Sequence, residues 1–176
     1  MSHREIPNIE KLSSESRKLF NILNDEVDLH VILIGTSFLD ISLASILKKY
    51  FIQDQISKKL LRGALGRFTS RAEACFALGL IEESLYNDLI IIAKIRNRIA
   101  HYRMTLTFET KDIQNLCNQL NYVKSLEYVT SFDLESAGQS SRLADLMVGA
   151  RNQFILSVVI ISQRLLLIGL GIKGDR

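Results

Sequence analysis

The sequence predicts an all-α chain, a single-domain helical bundle of about seven helices running through residues 1–176. Three observations carry that expectation. The 176 residues hold one proline, Pro7, and nine glycines that fall mostly at segment edges, so long stretches contain no helix breaker. Strand-type alternation of apolar and polar residues is nowhere sustained, while apolar residues recur at helical spacing. The hydrophobic share is 47%, and a chain of this length builds one sizeable core without a second domain.

Residues 8–24 form a first amphipathic segment, with Ile9, Leu12, Leu19, Phe20 and Leu23 on its inward side. Residues 27–51 read as one long helix that is apolar on nearly all sides, from Val31-Ile32-Leu33-Ile34 through Phe38 to Tyr50-Phe51, which makes it central. Asp40 is its anomaly. A carboxylate on a buried helix must be paired or neutral, and Arg96 or His101 are its natural partners unless it falls on a narrow wet stripe.

A short segment at 55–62 leads to the turn Gly63-Ala64-Leu65-Gly66. Ser70, with Glu73 three residues on, has the form of a capping box, which predicts a fourth helix from Arg71 to Gly79. A fifth helix over 82–101 places Leu85, Leu89, Ile92 and Ile99 on one stripe, with Arg96 at its edge as a partly buried, partnered guanidinium. Residues 104–109 connect to a sixth helix at 111–125 on Ile113, Leu116, Cys117, Leu120 and Val123. Residues 126–140, rich in Ser, Gly and Gln, are loop-like.

The last helix is expected over 142–169. Its apolar run from Phe154 to Ile172 approaches membrane-span length, but Ser157, Ser162, Gln163 and Arg164 interrupt it where Arg is costly. It therefore reads as a buried helix or an oligomer contact, and not as a membrane span. Phe154, Val158, Ile161 and Leu165 align at helical spacing and offer a homodimer seam.

Polar chemistry concentrates in Ile95-Arg96-Asn97-Arg98-Ile99-Ala100-His101. Asn97 and His101 are four residues apart and share a helix face, with Arg96 about 100° around from Asn97. Two readings fit. One is an anion or RNA-phosphate site, or a histidine poised for acid/base work beside an arginine. The other is a helix C-terminus whose carbonyls and dipole are satisfied by Arg98, His101 and Arg103. The glycine-rich turn before the fourth helix is similarly either a structural tight turn or an anion cradle on backbone N–H groups. It lacks the Lys-Ser/Thr of a P-loop, so nucleotide binding is not expected.

Net charge is +3, which says little about partners. Its distribution says more: Lys48, Lys49, Lys58, Lys59, Arg62, Arg67 and Arg71 face only Asp54 between positions 48 and 71. That excess forms either a basic surface suited to nucleic acid or an acidic protein, or ordinary solvated helix faces. Cys75 and Cys117 sit among apolar residues as core hydrophobes, and His3, His30 and His101 are too scattered to suggest a metal cluster. No metal or cofactor is expected. The polar stretch from Met1 to Lys18 lacks the apolar core of a signal peptide, which points to the cytoplasm.

The ordered run Gly63-Ala64-Leu65-Gly66-Arg67-Phe68-Thr69-Ser70-Arg71, then Ala77-Leu78-Gly79-Leu80-Ile81, Tyr86-Asn87-Asp88-Leu89, Lys94-Ile95-Arg96-Asn97, Ala100-His101 and Thr107-Phe108, resembles the bacterial mannitol operon repressor family over about the central third of the chain. The Arg96-x4-His101 spacing, with Asn97 second, also resembles the HEPN helical domains, some of which are metal-independent RNases.

The first resemblance implies a transcriptional regulator. No helix-turn-helix is legible, because the helix after the turn at Gly79 lacks the Arg, Asn and Gln cluster that reads base edges. Action through a protein partner is therefore expected, with non-specific nucleic-acid affinity at most and no turnover. The second resemblance implies an alternative: His101 as general acid/base, Arg96 stabilising a charged transition state and Asn97 orienting substrate, across a dimer. A non-catalytic dimeric interaction module is a third reading. The residues expected to bind are Asp40, Arg67, Arg71, Arg96, Asn97, Arg98 and His101.

Overall fold

A computed structural model describes residues 13–101, 107–124 and 148–171, with only the backbone of Ala100 and His101. Among the described residues there are seven helices and no strand: α1 Ser14–Asp25, α2 Asp28–Tyr50, α3 Asp54–Arg62, α4 Phe68–Ala77, α5 Glu83–His101, α6 Lys111–Asn118 and α7 Ala150–Gly171. The all-α expectation holds. Ile9, Leu12, the 126–140 loop and the expected helical start at 142–147 lie outside the described residues.

α2 and α7 are the central pair, with α1 and α6 against α7 and α4 and α5 against α2. Their close approach is set by Gly35, where an added Cβ would lie 3.3 Å from both Val158 methyls and 3.4 Å from the Phe154 ring. Leu39, Leu43 and Leu47 of α2 join Phe154, Val158 and Ile161 of α7 in one buried cluster. Leu19 and Leu23 of α1, Ile113 and Cys117 of α6, and the α5 stripe Leu85, Leu89, Ile92 and Ile99 complete it. Both α2 and α7 are long and apolar enough to cross a membrane; 67% of the apolar stretch of α7 and 39% of that of α2 is buried inside the bundle.

The polar interruptions of α7 have partners. Gln163 Oε1 accepts from the Ser16 hydroxyl at 2.7 Å and from Ser13 N at 3.2 Å, which fastens α1 to α7. Ser162 Oγ donates to Val159 O, and Arg164 Nε stands 3.9 Å from Glu82. The homodimer seam is overturned by the same packing. Phe154, Val158, Ile161 and Leu165 are each no more than 1% exposed, so that stripe is interior surface.

Two element boundaries depart from local sequence signals. α4 begins at Phe68, with Arg67 as an N-cap whose side chain makes no capping bond, so Ser70 and Glu73 lie inside the helix and form no capping box. Tertiary anchoring wins there: Phe68 packs against the core, and Arg71 reaches back to Leu65 O and Leu61 O. The helix stops as expected at Gly79, whose φ of 67° is the left-handed conformation glycine takes without strain. The expected 111–125 helix breaks after Asn118. Buried Asp88 of α5 accepts from Asn121 N and Tyr122 N and begins a new helical turn at 122–124.

Candidate functional site

α2, the start of α4 and the end of α5 enclose a polar groove of about 460 Å³. α2 contributes Thr36, Ser37 and Asp40, which the helical repeat places on one face. The Gly66 turn and the first turn of α4 contribute Arg67, Phe68 and Thr69. α5 contributes Ala93, Arg96 and Asn97.

The geometry begins with the turn. Gly66 N donates to Gly63 O at 2.9 Å, and a Cβ on Gly66 would lie 2.9 Å from Arg62 O and 3.0 Å from Gly63 O. Only glycine fits that turn, which points the amino end of α4 into the groove. Arg71 N takes Arg67 O at 3.0 Å, whereas the N–H groups of Phe68, Thr69 and Ser70 have no protein acceptor among the described residues. A helix amino end carries roughly half a positive charge and offers such N–H groups to anions.

Asp40 is paired, as a carboxylate on this helix must be, but with Arg71 and not with Arg96. Its Oδ1 lies 2.6 Å from Arg71 Nη1, with the arginine side chain 14% and the aspartate side chain 31% exposed. The pairing follows from the rotation of α4 against α2, which spacing along the chain does not encode. Arg96 corrects a second expectation: it is exposed, with no ion pair among the described residues, and it borders the groove beside exposed Asn97.

Of the expected binding residues, Asp40, Arg67, Arg96 and Asn97 meet in the groove, with Arg71 behind Asp40. Arg98 does not join them; it sits 3.8 Å from Asp112 of α6. The His101 side chain lies outside the described residues. Sequence reasoning missed Thr36, which is 4% exposed and whose hydroxyl has no hydrogen-bond partner. The Thr36-Ser37 step in an otherwise apolar run is the signal that marks it.

The basic stretch is thinner than its sequence suggests. Arg71 is held by Asp40, Lys58 by Asp54 at 2.6 Å, and Lys49 donates to Gly169 O at the carboxyl end of α7. Lys48, Lys59, Arg62 and Arg67 remain as exposed cations. A second cleft, of about 210 Å³ between α2 and α7, offers less chemistry, since Ser16, Ser42, Lys49 and Ser162 at its walls already bond within the protein. No three His, Cys, Asp or Glu residues cluster among the described residues in a way that would hold a metal.

Cys75 and Cys117 are buried free thiols, as expected of core residues. Burial pushes each thiol up to about 12.

A family model described as "Mannitol repressor" matches residues 17–170. No curated protein matches the sequence. The fold is similar to that of a chain in a crystal structure described as the MtlR-HPr complex from Escherichia coli, with a TM-score of 0.61 and 14% identity, over 87% of this chain and 99% of that one.

Proposed function

The chain belongs to the mannitol repressor family, and from that premise we propose that it is a cytoplasmic transcriptional regulator acting mainly through protein contacts, with HPr as the kind of partner it takes. The observation that carries the reading is the family match over 17–170, together with a fold neighbour whose description names a complex with a protein.

The helix geometry favours a protein partner over direct reading of DNA. If α4 and α5 acted as a helix-turn-helix, the amino end of α5 would enter the major groove. That end presents exposed Glu83 beside half-buried Glu82, and carboxylates there repel phosphates. The cations of α5, Lys94, Arg96 and Arg98, sit at its far end.

The test is calorimetric titration of the purified chain with HPr from its own organism, beside operator-length DNA between about 50 and 200 mM salt. The expected result is a saturable HPr complex and DNA affinity that collapses with salt irrespective of sequence. A nanomolar, salt-resistant, sequence-specific operator complex without HPr binding would overturn the reading. Metal-free RNA cleavage lost in Arg96→Ala would move the protein to the HEPN nucleases instead.

A further inference from the structure

We propose that α3, with the residues 48–53 that lead into it, is a peripheral docking surface for an anionic lipid bilayer: Ile52, Ile56 and Leu60 enter the headgroup layer, and Lys48, Lys59 and Arg62 pair with lipid phosphates. The contact is independent of the regulator reading and forms whether or not HPr binds.

The side that α3 turns to the bundle is not its apolar one. Ser57 is 1% exposed and donates its hydroxyl to Asp54 O at 2.8 Å, and half-buried Leu61 packs against the core. The helical repeat gathers Ile56, Lys59 and Leu60 on a different side, three and four residues apart. Ile52 is 73%, Ile56 57% and Leu60 37% exposed. Aliphatic residues scattered singly on a surface are ordinary. Three of them between positions 52 and 60, around a helix that buries a serine instead, form an apolar strip that folding leaves to water.

Charge and shape select the occupant. Lys48, Lys59 and Arg62 are exposed, and Asp54, the only acid between positions 48 and 71, is already held by Lys58 at 2.6 Å. The strip therefore lies in a positive field, which draws an anionic partner. A protein interface is built on aromatic anchors seated in pockets and is poor in lysine. Here the exposed apolar residues are isoleucine and leucine, and α3 lines neither of the two clefts. Nucleic acid would use the cations and gain nothing from the isoleucines. A bilayer surface uses both, because aliphatic tips enter the headgroup boundary without a preformed pocket and long cationic side chains reach the phosphates beside them. A strip this short gives reversible, salt-sensitive attachment and no insertion across the membrane.

The full chain is floated with vesicles of phosphatidylglycerol and phosphatidylcholine, and with vesicles of phosphatidylcholine alone, at about 50 and about 500 mM salt. The expected result is binding to the anionic vesicles only, lost at the higher salt. Lys59→Gln and Arg62→Gln each weaken it about fivefold. Ile52→Ser and Ile56→Ser each weaken it about tenfold. None of the four shifts the melting temperature, because all four side chains are exposed. Arg98→Gln, on α5, leaves binding unchanged. The chain contains no tryptophan, so Ile56→Trp is a single reporter. Its emission shifts to the blue with anionic vesicles, whereas that of Phe76→Trp, in the last turn of α4, does not. No binding to anionic vesicles would overturn the proposal, as would equal binding to neutral ones, binding indifferent to Ile52 and Ile56, or an Ile56→Trp emission that stays in place. A polyglutamate peptide or an RNA that binds through Lys59 and Arg62 where vesicles do not would overturn it in favour of an acidic macromolecule.

Discussion

At the scale of single residues, the fold is held by polar groups inside an apolar interior, and Asp88 shows how closely their environment sets their behaviour. It is 1% exposed and accepts from Asn121 N and Tyr122 N. Burial raises its carboxyl, and the two backbone N–H donors and Lys124 oppose that only partly. A carboxyl raised in the folded state contributes most where it is protonated in both states, below its unfolded value, and loses that contribution as pH climbs through the raised folded value. Asp88→Asn keeps one oxygen for the N–H groups and removes the buried charge. The difference in unfolding free energy between wild type and Asp88→Asn should therefore fall as pH goes from about 4 to 7. Denaturant melts at several pH values measure it, and a wild type that gains on the variant toward neutrality would contradict the assignment. Asp88→Ala strands both donors and should cost about 1–3 kcal/mol at every pH. Asp40 and Thr36 mark how far such residues are legible beforehand. The need for a partner at Asp40 follows from its apolar helix, but the choice of Arg71 depends on how α4 is turned. Thr36 escapes notice because a helical hydroxyl usually satisfies itself locally.

At the scale of elements, hydrophobic periodicity located α1, α5 and α6, because burial of one stripe is what makes each of them stable, while α2 and α7 were legible as long apolar runs and α4 from the turn signals at its ends. Boundaries were legible only where the local chemistry was left to decide. Gly79 ends α4 as its left-handed conformation requires, while the Ser70-Glu73 box was overruled by Phe68 and Arg71, and α6 was cut short by Asp88 thirty-odd residues away in the chain. The α2–α7 contact shows the same dependence on neighbours. Gly35 costs α2 about 1 kcal/mol of helix propensity relative to alanine. A Cβ there would press on Val158 and Phe154 at 3.3–3.4 Å, a few tenths of an ångström tighter than ordinary contact. Gly35→Ala should thus come out within about 1 kcal/mol of wild type, the propensity gain offsetting the squeeze. Gly35→Leu has no such balance, since its side chain has nowhere to go between two central helices, and should lose about 3 kcal/mol. Chemical denaturation of the two variants checks the pair; a tolerated leucine would mean that α2 and α7 slide apart easily.

At the scale of the whole molecule, the two buried thiols test whether the bundle unfolds as one body. Cys75 lies in α4, on the α2–α5 side, and Cys117 in α6, against α7. Each is fully buried, and burial pushes each up to about 12, so at pH 7.5 the native protein presents almost no thiolate to a labelling reagent. Reaction then requires opening, and the rate at each site reports the free energy of the smallest opening that exposes it. Both cysteines belong to one cluster of buried residues that also holds Leu89, Val158 and Ile161. The expected outcome is that both thiols label at the same rate, and that low denaturant accelerates both with the same slope as global unfolding. Mass spectrometry of the labelled peptides distinguishes the two sites. If Cys117 labels orders of magnitude faster than Cys75 with a shallow denaturant dependence, α6 and its neighbouring turn open as a separate unit, and the single-domain reading of the chain fails at that edge.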